Sequence, residues 1–186
     1  MATLHGHLFG AYGLFWNRAL VDWRPGSGSA AWQLLGHQHK KAPALRACDF
    51  RKANGVYVLY DDFGPRYSGL ARGSGGLGAR LRTHHTKPPR DIGWSRFSWF
   101  SFDDIVDDPK HYGWERVTRR SKPGPTDPET SIREIEALLI ALMGTTQNKM
   151  RFQKAHEWKQ LSSDDAQRIE DRETVDPTLF TFRRSD

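Results

Sequence analysis

Two short apolar segments joined by a turn constrain the fold of this chain most strongly. Residues 56–60 and 66–70 are rich in strand-forming residues, and Asp61-Asp62-Phe63-Gly64-Pro65 between them has the composition of a tight turn. This pattern predicts a β-hairpin that carries Tyr57 and Tyr67 near one surface. Aromatic pairs on hairpins usually only pack against each other, so the meaning of this pair depends on the residues that follow.

A helix is predicted directly after the hairpin, over residues 77–85. Leu77 and Leu81 are one helical turn apart, and the helix begins near Ser74 or Gly75. Two consecutive prolines then stop it.

An aromatic segment and a polar segment come next. Residues 97–102 alternate aromatic side chains with serine, which predicts the third strand of an antiparallel sheet. Residues 103–127 are rich in charged side chains and contain a Pro-Gly-Pro sequence, so they are predicted to be an insertion with little regular structure.

The clearest helical pattern starts at Ser131. Ser131-Ile132-Arg133-Glu134 fits a capping box, which gives Glu134 a structural role at the helix N-terminus. Glu136 is placed by the helical period at the edge of the apolar stripe, where we expect a half-buried carboxylate. The predicted stripe consists of Ile132, Ile135, Leu138, Leu139 and Leu142.

The length of 186 residues fits one main domain with small additions. Residues 1–50 are predicted to be an accessory N-terminal segment, mostly β, either a small module or extra strands packed on the main domain. Residues 51–160 are predicted to form that domain. Residues 161–186 are expected to pack on it as a helix over 164–172 and a tail that adds an edge strand. Seven tryptophans predict a core dominated by aromatic packing.

The charge distribution favours a polyanionic partner. The net charge is +6, and residues 51–125 hold 14 Lys and Arg against 8 Asp and Glu, whereas residues 126–186 hold 9 against 12. A single cysteine, Cys48, cannot form an intramolecular disulfide. No apolar run approaches the roughly 18 residues of a membrane span, and the N-terminus has no signal-peptide pattern. We therefore expect a soluble cytoplasmic protein without membrane contact.

The hairpin and the helix after it carry side chains suited to phosphodiester hydrolysis. That reaction needs an activated water, a group that holds the phosphate, and charge compensation at the leaving oxygen. A tyrosine near an arginine or a metal can ionise below its usual pKa of about 10, which makes Tyr57 and Tyr67 candidate bases. Arg80 and His84 share a helix face, where they can hold a phosphate and handle protons. Taken singly, all four also fit structural roles as strand aromatics or a solvated basic face.

A metal site is also predicted from the sequence. Glu136 is a plausible ligand for a hard divalent cation, although a surface acid in ordinary ion pairs is an equal alternative. Asn148 lies just beyond the helix, where asparagine is most often a turn residue. A weaker alternative is a Zn²⁺ site built from two histidine pairs and the cysteine: His5, His7, His37, His39 and Cys48.

In this order, these positions resemble the GIY-YIG nuclease superfamily, which includes excision-repair incision subunits, homing endonucleases and restriction enzymes. Gly55-Val56-Tyr57 is similar to the first signature, and Tyr67-Ser68-Gly69 to the second, with serine where isoleucine or valine is usual. Arg80 and His84 match the arginine and the aromatic or histidine one turn later. Glu136 matches the metal-binding glutamate, and Asn148 matches the asparagine that closes the family core.

The resemblance implies an α+β fold with a three-stranded antiparallel sheet flanked by helices. It also implies a single Mg²⁺ or Mn²⁺ held by Glu136. Either Tyr57 or Tyr67 is implied as general base while the other orients water, with Arg80 steadying the phosphate and His84 assisting proton transfer. The implied activity is that of a metal-dependent endonuclease that cuts DNA, of the stand-alone restriction, defence or repair type, and a homodimer is possible.

The positive surplus supplies candidate contacts to DNA. Expected contacts to the nucleic-acid backbone are Arg66, Arg72, Arg82, Lys87, Arg116, Arg119, Arg120 and Lys122. Phosphate contacts carry no base information, so an RNA-directed nuclease is an alternative. A second alternative is a nucleic-acid-binding module that is catalytically silent or depends on a partner.

Overall fold

The computed structural model describes residues 7–23, 32–38, 47–87, 93–110, 113–120, 128–143 and 156–161. Within these residues the fold is α+β, as predicted, and strands dominate. The strands are β1 (Ala11–Asn17), β2 (Leu35–Gln38), β3 (Ala47–Asp49), β4 (Gly55–Asp61), β5 (Gly64–Ala71), β6 (Arg96–Ser101), β7 (Asp104–Asp107), β8 (Trp114–Thr118) and β9 (His156–Gln160). The helices are α1 (Gly76–Thr86) and α2 (Pro128–Met143), with short 3₁₀ turns at Arg18–Leu20 and Phe50–Lys52.

The strands are hydrogen-bonded in the order β5-β4-β6-β1-β9-β2-β3-β8-β7. Strand β9 joins two sheets, because its first residues pair with β1 and its later residues pair with β2. The predicted three-stranded antiparallel sheet is present as β5-β4-β6 at one end of this order. Tyr57 and Tyr67, which lie on β4 and β5, are therefore at one edge of a much wider sheet.

The predicted hairpin is confirmed as β4 and β5. Its turn is stabilised by Asp61, whose Oδ1 accepts hydrogen bonds from the N–H groups of Phe63 and Gly64 at 2.8 and 3.1 Å. Strand β4 approaches β6 so closely at Gly55 that a Cβ there would lie 1.8 Å from the Phe100 carbonyl oxygen. Only glycine fits this contact, which accounts for the residue that begins Gly55-Val56-Tyr57.

The prediction of an irregular insertion at 103–127 is wrong for its described part. Strands β7 and β8 form an antiparallel hairpin, and β8 pairs in parallel with β3. Ile105 lies opposite Val117, and both side chains pack against the main core. The polar composition of this segment predicts a loop, because its many charged residues obscure a short alternating pattern of apolar side chains. Residues 111–112 and 121–127 lie outside the described residues.

The strands of the N-terminal segment are hydrogen-bonded to strands from later in the chain. Strand β1 is antiparallel to β6, and the Trp16 indole donates from Nε1 to the Trp158 carbonyl oxygen at 2.9 Å. The indole of Trp16 also packs edge-on against Phe50 and Trp99. The predicted aromatic core is confirmed, and it joins residues from both ends of the described chain.

The two helices cover opposite faces of the sheet. Leu77 and Leu81 of α1 are buried in the same cluster as Tyr57. Leu138 of α2 packs instead with the cluster that contains Val56. Successive strand residues face opposite sides, so Val56 and Tyr57 separate the two faces.

Helix α2 begins three residues earlier than predicted, at Pro128, so the capping-box interpretation of Ser131 is wrong. The Glu134 carboxylate is nevertheless occupied, by a distant segment. It accepts hydrogen bonds from the N–H groups of Leu8 and Phe9 at 2.9 and 3.2 Å, and it lies 3.0 Å from Nδ1 of His7. These contacts fix how α2 is rotated on the sheet.

The predicted apolar stripe of α2 is only partly buried. Leu138 and Leu142 pack against the sheet, whereas Ile132 is 66% exposed, and Ile135 and Leu139 are also exposed. The packed face instead follows the i, i+3, i+4, i+7, i+8 series that starts at Glu134. Within the described residues, no helix is long and apolar enough to cross a membrane. The predicted C-terminal helix and edge strand lie outside the described residues.

Candidate active site

The two tyrosines of the hairpin lie diagonally across neighbouring strands on one face of the sheet. Tyr57 is opposite Gly69, and Tyr67 is opposite Leu59. This register separates the two ring centroids by 6.1 Å. The pleat of the hairpin therefore brings both phenols to one place, as the sequence predicted.

Gly69 makes room for the ring of Tyr57. A Cβ at Gly69 would lie 2.5 Å from the Tyr57 hydroxyl oxygen and 2.6 Å from Cζ. The phenol lies flat across the neighbouring strand because no side chain stands there. The last residue of Tyr67-Ser68-Gly69 is thus explained by packing of the first tyrosine.

His84 of α1 completes a cluster with the two tyrosines. The Tyr57 hydroxyl oxygen is 2.8 Å from His84 Nε2, and the Tyr67 ring centroid is 4.8 Å from that of His84. The three ring centroids all lie within 6.1 Å of one another. Tyr57, Tyr67 and His84 therefore form one cluster.

Helix α1 reaches this position because its glycines pack directly on backbone. Gly76 has a φ of +55°, and a Cβ there would lie 2.6 Å from the Arg51 carbonyl oxygen. A Cβ at Gly78 would lie 2.9 Å from Arg51 Cβ, and the Leu77 N–H donates to the Ala53 carbonyl at 2.8 Å. Gly76 and Gly78 therefore allow α1 to pack closely against Arg51.

A second aromatic cluster holds the C-terminal end of α1, and sequence reasoning missed it. The Trp23 ring stacks on His85 with centroids 4.5 Å apart. Arg18 donates from Nε to His85 Nδ1 at 3.1 Å and lies over the Trp94 ring. Trp94 in turn donates from Nε1 to the His84 carbonyl at 3.3 Å. Of the two adjacent histidines on α1, His84 therefore contacts the tyrosines, and His85 belongs to the cluster that supports the end of the helix.

Burial and the second phenol raise the pKa of Tyr57 well above its usual value, and Arg80 offsets this only in part. Arg80 favours ionisation of Tyr57, as expected, but the net pKa is raised, so the prediction that this tyrosine ionises below its usual pKa is wrong. Removal of the ring from water costs the phenolate more free energy than the arginine returns. Tyr57 therefore remains a protonated hydrogen-bonding group at neutral pH.

His84 is held in its neutral form. Burial and then the positive charge of Arg80 lower the pKa of His84 below its usual value. A neutral imidazole carries one N–H and one lone pair, so His84 can donate to Tyr57 or accept from it, depending on the tautomer. Arg80 is exposed at the margin of the cluster, available to an anionic ligand.

Access to solvent distinguishes the two tyrosines. Tyr57 is 1% exposed, whereas Tyr67 is 37% exposed. A substrate or a reacting water can reach Tyr67 directly but reaches Tyr57 only through its neighbours. The cluster thus has a buried phenol, a neutral imidazole and an accessible phenol beside an arginine.

Glu136 lies away from this cluster. Its helix packs on the opposite face of the sheet, and the side chain is exposed rather than half-buried, contrary to expectation. It is flanked there by exposed Ile132 and Ile135. Within the described residues, no carboxylate appears among the charges that shift the pKa values of Tyr57 and His84.

The described residues therefore do not fit a divalent cation at the tyrosine cluster. Within the same ranges, no group of three or more His, Cys, Asp or Glu side chains is arranged to hold a metal ion. Asn148 lies outside the described residues, as do two of the four histidines of the zinc alternative. His7 contacts Glu134, and burial raises the pKa of the Cys48 thiol.

The predicted nucleic-acid contacts differ in availability. Arg72, Lys87 and Arg116 are exposed. Arg66 is paired with Asp61 at 3.0 Å. The three other described arginines of this set are bound within the fold or line a separate cleft.

Arg119 donates to the Gly73 carbonyl at 3.2 Å. Arg120 is committed within the fold, since it binds the Asp104 carboxylate at 2.7 Å and the Leu8 carbonyl at 3.0 Å. Arg82 lines a separate cleft on α1. Lys122 lies outside the described residues.

A scan against protein-family models found no match to this chain. Searches of the curated proteins and of the solved structures found no match either.

Proposed function

We propose that the chain is a GIY-YIG-type endonuclease that hydrolyses phosphodiester bonds in DNA. The observation that carries this proposal is the cluster of Tyr57, Tyr67 and His84 beside the exposed Arg80, in which the Tyr57 hydroxyl contacts His84. It combines an accessible phenol, a neutral imidazole and a guanidinium, which suit activation of water and charge compensation at a phosphate. The positive surplus in residues 51–125 supports a polyanionic substrate.

Tyr67 is the general base in this proposal, and Tyr57 is a positioning residue. The buried Tyr57 keeps its proton, and its hydroxyl oxygen is held 2.8 Å from Nε2 of His84. Water can reach the exposed Tyr67 directly, and Tyr67 acts as its phenolate in this proposal.

The reaction proceeds by attack of water on the phosphorus. The water oxygen forms the new bond to phosphorus as its proton passes to the Tyr67 oxygen, and the bond to the leaving oxygen breaks. The leaving oxygen takes the bonding pair and then a proton from solvent. Arg80 offsets the negative charge that develops on the phosphoryl oxygens.

A divalent cation has no step in this mechanism, since the described residues do not gather its ligands around the cluster. The prediction that Glu136 holds Mg²⁺ or Mn²⁺ is tested separately. Its result decides whether α2 takes part in catalysis.

The decisive experiment measures cleavage of a supercoiled plasmid and of labelled DNA and RNA strands, each with Mg²⁺, Mn²⁺ or EDTA. Parent protein, Tyr67→Phe, Tyr57→Phe and Glu136→Ala are compared. We expect Tyr67→Phe to lose about 10²-fold or more in rate, as general-base removal does. DNA cleavage that survives in Tyr67→Phe contradicts the assigned base. DNA binding without cleavage under every condition favours the silent or partner-dependent module, and preferential cutting of RNA favours the RNA-directed alternative.

A conservative substitution separates positioning from a merely structural role. Tyr57→Phe keeps the buried ring and removes the hydroxyl that contacts His84, so we expect the rate of cleavage to fall while thermal stability is kept. A loss of stability with unchanged cleavage indicates that Tyr57 only packs.

A further inference from the structure

A cleft on another side of α1 has no part in the proposed chemistry. It has a volume of about 460 Å³ and lies between α1 and the 3₁₀ turn Phe50–Lys52, with Trp32 in its wall. Its charged lining residues are Arg51, Lys52 and Arg82. Among the described residues that line it, none is acidic.

Two of these cations are available to a ligand. Arg51 is paired with Asp49, with Nη2 and Oδ2 2.6 Å apart. Lys52 donates from Nζ to the Ser74 carbonyl at 3.0 Å, a contact that leaves its positive charge uncompensated. The Arg82 guanidinium has no ion pair or hydrogen bond with another residue in the described ranges. An anion in the cleft would therefore offset at least two positive charges.

The start of α1 adds to this preference. Gly75 and Gly78 line the cleft, and α1 has no acidic residue in its first turn and no side-chain cap. The Leu77 N–H is already donated to the Ala53 carbonyl, so the dipole at the helix N-terminus supplies the preference for a negative charge. Together with the two cations, it defines a site for phosphate oxygens.

The cleft and the tyrosine cluster are connected around the solvent-exposed side of α1. At 100° per residue, Arg82 and His84 point about 160° apart. Exposed Ala79, Arg80 and Thr83 lie between them, and none is acidic. A helix with side chains is about 10–12 Å wide, so the path around half of its circumference is roughly 16–19 Å, or about five nucleotides at 3.4 Å per step. One strand can therefore cross α1 from the cluster to the cleft.

We propose that this cleft binds a backbone phosphate of the substrate strand about five nucleotides from the cut, with Arg82 and Lys52 as its contacts. The inference rests on the proposed function, because it takes the tyrosine cluster as the position of the cut. It adds Lys52, which was not among the predicted contacts, and it places the phosphate between α1 and the 3₁₀ turn. The cleft fixes where the strand lies and does not touch the reacting atoms.

The test measures DNA binding as a function of salt in a Tyr67→Phe background, with a fluorescently labelled oligonucleotide. Each lost phosphate contact reduces the slope of log K against log salt by about 0.7–0.9. We expect this reduction for Arg82→Gln and for Lys52→Gln, whereas Arg82→Lys retains most of the slope. Arg133→Gln is the matched control, since Arg133 is exposed on α2 at the opposite face of the sheet. Unchanged slopes in both cleft variants, or an equal change in the control, overturn the proposal.

Truncated substrates locate the contact along the strand. In the cleavage-competent protein, Arg82→Gln should raise KM about tenfold with little change in kcat, as expected for loss of a charge-assisted hydrogen bond. This effect should vanish for substrates that end fewer than about five nucleotides from the cut on one side. An effect that is the same at every length contradicts the assigned position.

Failure of the cleft is distinguishable from failure of the proposed function. If cleavage depends on Tyr67 but the salt-dependence slopes are unchanged in the Arg82 and Lys52 variants, only the proposal for the cleft is overturned. Slopes that depend on Arg82 in a protein that never cuts DNA support the cleft as a phosphate site and overturn the nuclease.

Discussion

The Tyr57 hydroxyl oxygen lies 2.8 Å from Nε2 of His84, across the junction between the hairpin and α1. This contact joins two residues that are 27 positions apart in the chain. It orients the imidazole, and it fixes the buried phenol between His84 and Tyr67. The proposed roles of Tyr57, Tyr67 and His84 depend on this arrangement.

Substitution of His84 should impair catalysis rather than folding. His84→Leu removes the ring nitrogen that contacts the Tyr57 hydroxyl, so we expect cleavage to fall by about 10²-fold or more. The neighbouring His85→Leu variant loses the stacked contact with Trp23 and should lower stability while kcat is kept. Cleavage assays and thermal unfolding of both variants check this. The reverse pattern would mean that the two histidines have been assigned to the wrong roles.

Gly69→Ala should disturb both stability and catalysis. The added methyl group would stand 2.5 Å from the Tyr57 hydroxyl oxygen, so the ring must move away from His84. Overpacking of this kind typically costs about 1–3 kcal/mol of the free energy of unfolding. Gly93→Ala is the matched control, because nothing lies within 4 Å of its Cβ position. Denaturant unfolding of the two variants should differ clearly, and equal effects would contradict the packing of Tyr57 over Gly69.

The two glutamates of α2 should separate stability from catalysis. Glu134→Ala leaves the N–H groups of Leu8 and Phe9 without their acceptor, which should cost about 1–3 kcal/mol of the free energy of unfolding. Glu136→Ala removes an exposed side chain and should change stability by less than about 0.5 kcal/mol. If Glu136→Ala keeps its stability but abolishes metal-dependent cleavage, the predicted metal ligand is supported and α2 must contribute to the site.

The stability of the protein should fall at alkaline pH because of Tyr57. Its pKa is raised in the folded state, so the folded protein retains a proton that the unfolded chain loses as the pH rises above about 10. The contribution is complete below the unfolded pKa and is lost progressively above it. Chemical denaturation between pH 8 and 11 should show a smaller decline for Tyr57→Phe than for the parent. Identical declines would mean that burial of this phenol does not control the alkaline limb.

The local pattern of the sequence was sufficient for the hairpin and for α1. The turn at Asp61 and the spacing of Leu77 and Leu81 are short-range signals, and they led to elements close to those observed. The order of Tyr57, Tyr67, Arg80 and His84 also indicated a shared site. Their meeting needed only the pleat of the hairpin and the period of one helix.

The rotation of α2 was decided by tertiary structure. Its apolar residues cover a wide part of the helix surface, so the sequence is compatible with more than one packed face. Hydrogen bonds from Leu8 and Phe9, more than a hundred residues away, select the face that carries Glu134. Glu136 is therefore exposed, and no local pattern contains that information.

The sequence by itself determined which chemical groups are present and which local elements carry them. Tertiary structure decided their environment: the raised pKa of Tyr57, the lowered pKa of His84, and the placement of Arg51 and Lys52 beside α1. The physical reason is range. Turns and helical periods depend on neighbours within a few residues, whereas desolvation and close packing depend on residues that meet only when the whole chain folds.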